Sequence, residues 1–385
     1  MPGPAAGMCE PRFMAVREAF EAGFRRHGEL GAAVCVVSDG CPVVDLWGGF
    51  QDEARTTPWE RDTLVNVFSV TKGLVAACLA MLADRGRLDV DAPVAEYWPE
   101  FAASDKQHIT VSEMLAHQAG LPALRARLPV DAHVDWRSMT EALAAERPWW
   151  PPGSALGYHA ITWGWLAGEL LRRVDGRSIG TFLREEVAAP LGLDLHLGTP
   201  PELDARTAPI AAGSMGIALS VLLYWLRTPG RMPMRLRLLT NPPQRDAKLD
   251  TRAWRAAEMP AINGIANARA LAKFYGVLAC GGESGSSFLL RPAALARATR
   301  TQSEGRDLVF GIRSRFGLGF MLDSKHLDIA TGARSFGHTG SGGAFAFADP
   351  ERRLAFAYTP NRPHPQPRLL AAPARALVRA IYASL

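Results

Sequence analysis

Lysine is scarce in this chain. Of its 43 basic residues, only Lys72, Lys106, Lys248, Lys273 and Lys325 are lysines. The net charge is +5, and it is spread along the chain rather than gathered into a basic run. A nucleic-acid partner is therefore not expected, although a mild pull on anionic small molecules remains. Cysteine is sparse as well: Cys9, Cys35, Cys41, Cys78 and Cys280 make an odd count with no C-x-x-C spacing. That excludes a disulfide framework and a zinc knuckle, and it fits reduced thiols and a cytoplasmic location. Residues Met1 to Val16 lack the apolar core of a signal peptide. The most apolar stretch, Met215 to Leu226, falls short of the roughly 20 residues a membrane span needs. It reads as a core or lid helix.

Catalytic signatures are missing too. No G-x-S-x-G occurs, which argues against an α/β-hydrolase nucleophile elbow. No H-E-x-x-H occurs, and the nine histidines form no metal cluster, His108 and His117 being nine apart, so no metal or other cofactor is expected. There is no internal repeat and no low-complexity linker. What remains is a chain of 385 residues, 48% hydrophobic and 21% charged, long enough to bury a sizeable core.

The order of elements is informative. Phe13 to Arg26 has Phe13, Val16, Phe20 and Phe24 at helical spacing. Ala32 to Ser38 and Val43 to Trp47 read as a hairpin joined at Asp39-Gly40. Ser69 to Arg85 and Ile161 to Val174 read as helices, with Gly73 a tolerated cost in the first. Residues 208–245 are irregular and read as a lid or insertion. Ala268 to Leu278 is helical again. Arg334 to Phe347 and Arg353 to Tyr358 read as two strands turning at Asp349-Pro350, and Leu369 to Ala383 closes the chain as a helix. Strands at both ends with helices between predict an α+β fold. One antiparallel sheet would be built from both termini, with a lobe of about 1–65 and 300–385 and a mostly helical lobe of about 66–299.

Three short segments carry chemistry. In Ser69-Val70-Thr71-Lys72, a helix would bring residues i and i+3 to one face, within reach of each other. A serine hydroxyl needs such a base to become a nucleophile. A lysine among apolar groups loses its charge readily, because burial disfavours the ammonium. Alone, the segment is also compatible with a surface helix start capped by Ser69. In Gly157-Tyr158-His159-Ala160, Tyr158 is a candidate proton shuttle or a core tyrosine, and His159 reads as a structural neighbour. In His338-Thr339-Gly340-Ser341-Gly342-Gly343, the glycines allow close backbone approach to a substrate. An amide there is a candidate oxyanion donor.

Together and in this order, these segments resemble the serine β-lactamase and penicillin-binding protein superfamily, and most of all its family VIII carboxylesterase branch. Leu115-Ala116-His117-Gln118-Ala119-Gly120-Leu121-Pro122 and Ala189-Pro190-Leu191-Gly192-Leu193 support the likeness over nearly the whole chain. The resemblance implies a single β-lactamase-like catalytic domain and an acyl-enzyme mechanism. Ser69 would be the nucleophile, Lys72 its base and Tyr158 the proton relay. The amides of Ser69 and Ser341 would form the oxyanion hole, and His338 and Gly340 would help bind substrate. Two positions depart from the family pattern. Ala160 stands where the Y-x-N asparagine belongs, and His338 stands where K-T-G has its lysine; a histidine there is only partly charged at neutral pH. Both changes favour a neutral ester as the small-molecule substrate. The alternatives are hydrolysis of a β-lactam, an amide or a D-amino-acid peptide, acyl transfer, and a retired hydrolase that only binds. Trp149, Trp150 and Trp225 are candidate walls of a hydrophobic acyl pocket lidded by Met215 to Leu226.

Overall fold

The computed structural model describes residues 5–211, 231–244, 249–284, 287–322, 332–366 and 369–385. Met215 to Leu226, with Trp225, lies outside them. The early strands are β1 (Ala6–Cys9), β2 (Gly31–Ser38) and β3 (Cys41–Gly49). Short pieces follow: β4 (Val65–Asn66), β5 (Leu195–His196), β6 (Ile265–Ala266), β7 (Glu283–Ser284) and β8 (Ser287–Phe288). The late strands are β9 (Ser303–Arg306), β10 (Arg313–Phe316), β11 (Met321–Leu322), β12 (Phe336–Thr339), β13 (Phe345–Asp349) and β14 (Leu354–Pro360). The main helices are α1 (Met14–Arg26), α2 (Thr71–Asp84), α3 (Thr162–Asp175), α4 (Met232–Thr240), α5 (Ala268–Ala279) and α6 (Ala372–Ala383).

A nine-stranded antiparallel sheet runs β1-β3-β2-β14-β13-β12-β11-β10-β9. Its centre joins the two chain ends, with Tyr358 opposite Val34 and Ala355 opposite Val37. The β2–β3 hairpin turns at Asp39 and Gly40, both at positive φ (49° and 79°), the geometry that matches the twist of paired strands. The stretch read as one strand over 334–347 is two: β12 and β13 pair with each other, Thr339 opposite Phe345. Gly342 and Gly343 sit at φ 87° and 118°, so the glycine run is a hairpin turn rather than a bend within one strand.

The two sheet faces differ in side-chain size. Phe345, Phe347, Phe356 and Tyr358 point towards α1 and α6, packing with Phe13, Phe20 and Ile381. Ala346, Ala348, Ala355 and Ala357 point the other way and share a core with Phe274 and Tyr275 of α5 and with nearly all of α2. Small residues on that face let α5 lie close: a Cβ on Gly276 would come within 2.8 Å of Val37. Gly73, which the helix tolerates at a propensity cost, has a packing reason of the same kind, since a Cβ there would overlap the Tyr275 hydroxyl. Helix α2 is therefore a central helix, buried all round from Thr71 to Leu82. That geometry puts its first turn in a dry interior.

A second, three-stranded sheet, β4-β6-β5, is small but holds the turn before α2. Among the described residues, no helix is long and apolar enough to cross a membrane.

Candidate active site

The turn from Val67 to Lys72 is unusually constrained. Phe68 adopts φ 47°, which costs a bulky side chain and persists only where the surroundings hold it. Here Asn66 Oδ1 accepts from Phe68 N at 2.8 Å, and Thr71 Oγ1 donates to Phe68 O at 2.5 Å. Gly264, next to β6, then pins both sides of the turn. Its carbonyl accepts from Val67 N at 2.9 Å, and its amide donates to Thr71 Oγ1 at 2.9 Å. The result lifts Ser69 to the head of α2, where its hydroxyl lines a pocket.

Lys72 lies one turn on and is fully buried. Its Nζ is 3.2 Å from Ser69 Oγ, 2.7 Å from Ala160 O and 3.0 Å from Ala261 O. Ala261 reaches it because Gly164 of α3 lets that segment close in; a Cβ at Gly164 would come within 2.5 Å of Ala261 N. Among the described residues no carboxylate balances this amine, and burial holds its pKa well below the usual lysine value. In its neutral form the amine has two N–H bonds and one lone pair; the two carbonyls would then take the N–H bonds and leave the lone pair for the Ser69 hydroxyl.

Tyr158 stands over this pair, its ring 4.9 Å from Lys72 Nζ. Burial raises its pKa above the normal phenol value. Its hydroxyl is 3.4 Å from His338 Nε2. His338 Nδ1 lies 2.7 Å from Thr339 O, so that nitrogen carries the proton and Nε2 is the acceptor. Burial, with Lys72 nearby, pushes the His338 pKa down to about 3. His338 is thus neutral rather than partly charged. Its ring faces Tyr158 and is not among the described residues that line the pocket.

His159 is structural in its contacts. Its Nε2 accepts from Leu121 N at 2.8 Å, and Nδ1 pairs with Gly157 O at 2.6 Å. His117, which the spacing set aside as a metal ligand, supports the tyrosine segment instead. Its Nδ1 accepts from His159 N at 3.1 Å, and its carbonyl accepts from Gly157 N at 3.1 Å.

Gly340 brings the end of β12 against the nucleophile turn, where a Cβ would approach Val67 O to 2.5 Å. Gln366 Nε2 donates to Gly340 O at 2.9 Å. Ser69, Gly340 and Ser341 line the same pocket, whose volume is about 300 Å³. Among the described residues, the amides of Ser69 and Ser341 donate to no protein acceptor. The wall opposite is apolar: Leu238 and Leu239 from α4, with Leu249, Trp254, Ile262 and Phe316. None of the described lining residues carries a charge. The described part of the 208–245 segment thus forms pocket wall. Trp149 and Trp150 do not: their indoles donate to Ala123 O at 2.8 Å and Ala155 O at 3.0 Å, away from the pocket. Trp254 takes the place expected of them, and nothing local in the sequence around it marks that role.

Comparison with known proteins bears on the family and the fold. The chain matches the beta-lactamase family model over residues 16–380. It is 41% identical over 367 residues to the esterase/beta-lactamase LipL of Mycobacterium tuberculosis, covering 92% of this chain and 82% of the relative. Its fold superposes on a crystal structure of a penicillin-binding protein homologue from Caulobacter crescentus with a TM-score of 0.90, 39% identity and full coverage of both chains. It superposes on a family VIII carboxylesterase with a TM-score of 0.88 and 38% identity, over 99% of this chain and 100% of the other. With nearly the whole chain matched, this protein belongs to the beta-lactamase family and has its α+β fold.

Proposed function

We propose that the protein hydrolyses carboxylic esters through an acyl-enzyme on Ser69. One observation carries this most directly: the buried Lys72 amine stands 3.2 Å from the Ser69 hydroxyl, with the carbonyls of Ala160 and Ala261 at 2.7 and 3.0 Å to accept its N–H bonds. In this reading Lys72 takes the Ser69 proton as Oγ attacks the ester carbonyl. The amides of Ser69 and Ser341 hold the developing oxyanion. Tyr158 delivers a proton to the leaving alkoxide and later helps deprotonate the water that releases the acid. A raised phenol pKa suits it to donate rather than to stand ionised. No step calls on a cofactor.

The pocket supports a neutral, apolar acyl group. Among the described residues, an apolar wall without charge gives no partner to a substrate carboxylate, and His338 is neutral and does not line the pocket. A β-lactam or a D-amino-acid peptide carries such a carboxylate, so the ester reading is favoured over both. The lipophilic wall also favours an acyl chain longer than acetate. We place the enzyme in a reducing, cytoplasmic setting, which its five free cysteines support.

The test compares initial rates on p-nitrophenyl acetate, butyrate and octanoate with the rate on nitrocefin. The reading expects butyrate or longer esters to lead. Nitrocefin turning over faster than every ester would overturn it, and a preference confined to acetate would remove the apolar acyl pocket.

A further inference from the structure

Asp307 is a fully buried carboxylate to which the chemistry above assigns nothing. It stands at the start of the 307–312 loop between β9 and β10. Its Oδ2 accepts from Tyr158 N at 2.7 Å, and its Oδ1 accepts from Val309 N at 2.7 Å and Phe310 N at 2.8 Å. The main chain adds a bond from Leu308 N to Leu156 O at 2.9 Å, two residues before Tyr158. Burying a carboxylate is costly unless it is paired and hydrogen-bonded. The opposite charge comes from α4: Arg235 is also fully buried, acts electrostatically on Asp307, and places Nη2 3.4 Å from Leu308 O.

We propose that Asp307 is a positioning residue that fixes Tyr158 over Ser69 and, with Arg235, ties it to the helix that walls the acyl pocket. The proposal rests on the reading of Tyr158 as the proton relay. The same loop supplies Phe310, whose ring is 5.5 Å from that of Tyr158 and which lines the pocket with Leu238 and Leu239 of α4. One carboxylate therefore sets both the phenol position and the acyl wall. Asparagine is nearly isosteric with aspartate but offers one acceptor oxygen and an NH2 group. At position 307, that NH2 would face either the Tyr158 amide or the paired amides of Val309 and Phe310. Two donors would then oppose each other.

The pH dependence follows from the same contacts. Burial pushes the Asp307 carboxyl up to about 6, against the pull of its three amides and Arg235. The groups that face it are Arg235, with Arg231 behind, and the Tyr158 phenol. Once protonated, one carboxyl oxygen becomes a donor and the grip on Tyr158 loosens. Activity should therefore rise with pH through about 6.

The experiment measures kcat and KM for p-nitrophenyl butyrate, and the rate of Ser69 labelling by a fluorophosphonate, from about pH 5 to pH 8. Wild type is compared with Asp307→Asn and Arg235→Gln. The expected Asp307→Asn enzyme loses roughly tenfold or more in kcat, with KM within about threefold, and has no limb near pH 6. The expected Arg235→Gln enzyme keeps a limb, moved to higher pH, because the charge that favours the carboxylate is gone. An unchanged kcat in Asp307→Asn, or a limb that survives there unmoved, overturns the proposal. If thermal melting shows that Asp307→Asn does not fold, the limb of Arg235→Gln decides, and an unmoved limb overturns it. Failure of the wild type itself to label strikes the acyl-enzyme reading instead.

Discussion

Replacing Lys72 with methionine should abolish activity and also change how stability depends on pH. In the folded protein the amine is buried, with no counter-charge among the described residues, and its pKa is well below normal. In the unfolded chain it titrates near 10.4. Between those two values the unfolded state binds one proton more than the folded state. Stability therefore rises with pH in this window, by about 1.4 kcal/mol per unit. If the folded amine is neutral across pH 7.5 to 9.5, as the mechanism requires, the wild type gains about 2.7 kcal/mol over that range relative to Lys72→Met, with the other titrating groups cancelling between the two proteins. The absolute difference is less telling. At pH 7.5, keeping this amine neutral costs about 4 kcal/mol, but methionine leaves Ala160 O and Ala261 O without a donor, at about 1–3 kcal/mol each. These nearly offset, so the slope carries the information. Equilibrium urea unfolding of both proteins at three pH values would measure it. Parallel stability curves would mean that Lys72 is charged in the folded state, and the lone-pair argument for serine activation would fall.

Two further outcomes follow from the site. Tyr158→Phe should lower kcat by about a hundredfold or more, while thermal stability falls only by what the hydroxyl gains from its contacts with Ser69 and, at 3.4 Å, with His338; near-normal turnover would remove the relay role. Gly264→Ala should cut the Ser69 labelling rate by roughly tenfold or more, because a Cβ there would press within 2.6 Å of Thr71 Oγ1 and displace the group that holds Phe68 at positive φ; unchanged labelling would show that this turn does not depend on the Gly264 clamp.

How much of this was legible in the sequence depends on where each signal lies. Ser69 and Lys72 are three residues apart, one in the turn that leads into α2 and the other in its first turn, so their pairing is a local fact. The hairpin at Asp39-Gly40 and the periodic helices α1, α3 and α5 are local too. The acceptors that complete the lysine site are different: Ala160 O and Ala261 O are backbone atoms 88 and 189 positions away from it. A carbonyl has no sequence signature of its own. Asp307 is 149 positions from the amide that it holds, and one aspartate among many does not announce burial. Strand β9 reads Ser-Glu-Gly-Arg, with no apolar alternation to mark it, and it forms because it pairs with β10 at the sheet edge. The segment over 334–347 misled for the opposite reason. Its run of glycines with Ser341 over 340–343 reads as part of one strand, whereas positive φ at Gly342 and Gly343 turns the chain back there. His338 read as half-charged because its ordinary pKa lies near neutrality; complete burial, which no local pattern reveals, makes it neutral.

The central claim is that ester cleavage passes through Ser69. The most direct measurement is the initial rate of p-nitrophenyl butyrate hydrolysis by purified wild type and Ser69→Ala, side by side. The account predicts a loss of about a thousandfold or more in the variant, with folding intact by thermal melting. Equal rates in the two proteins would contradict it.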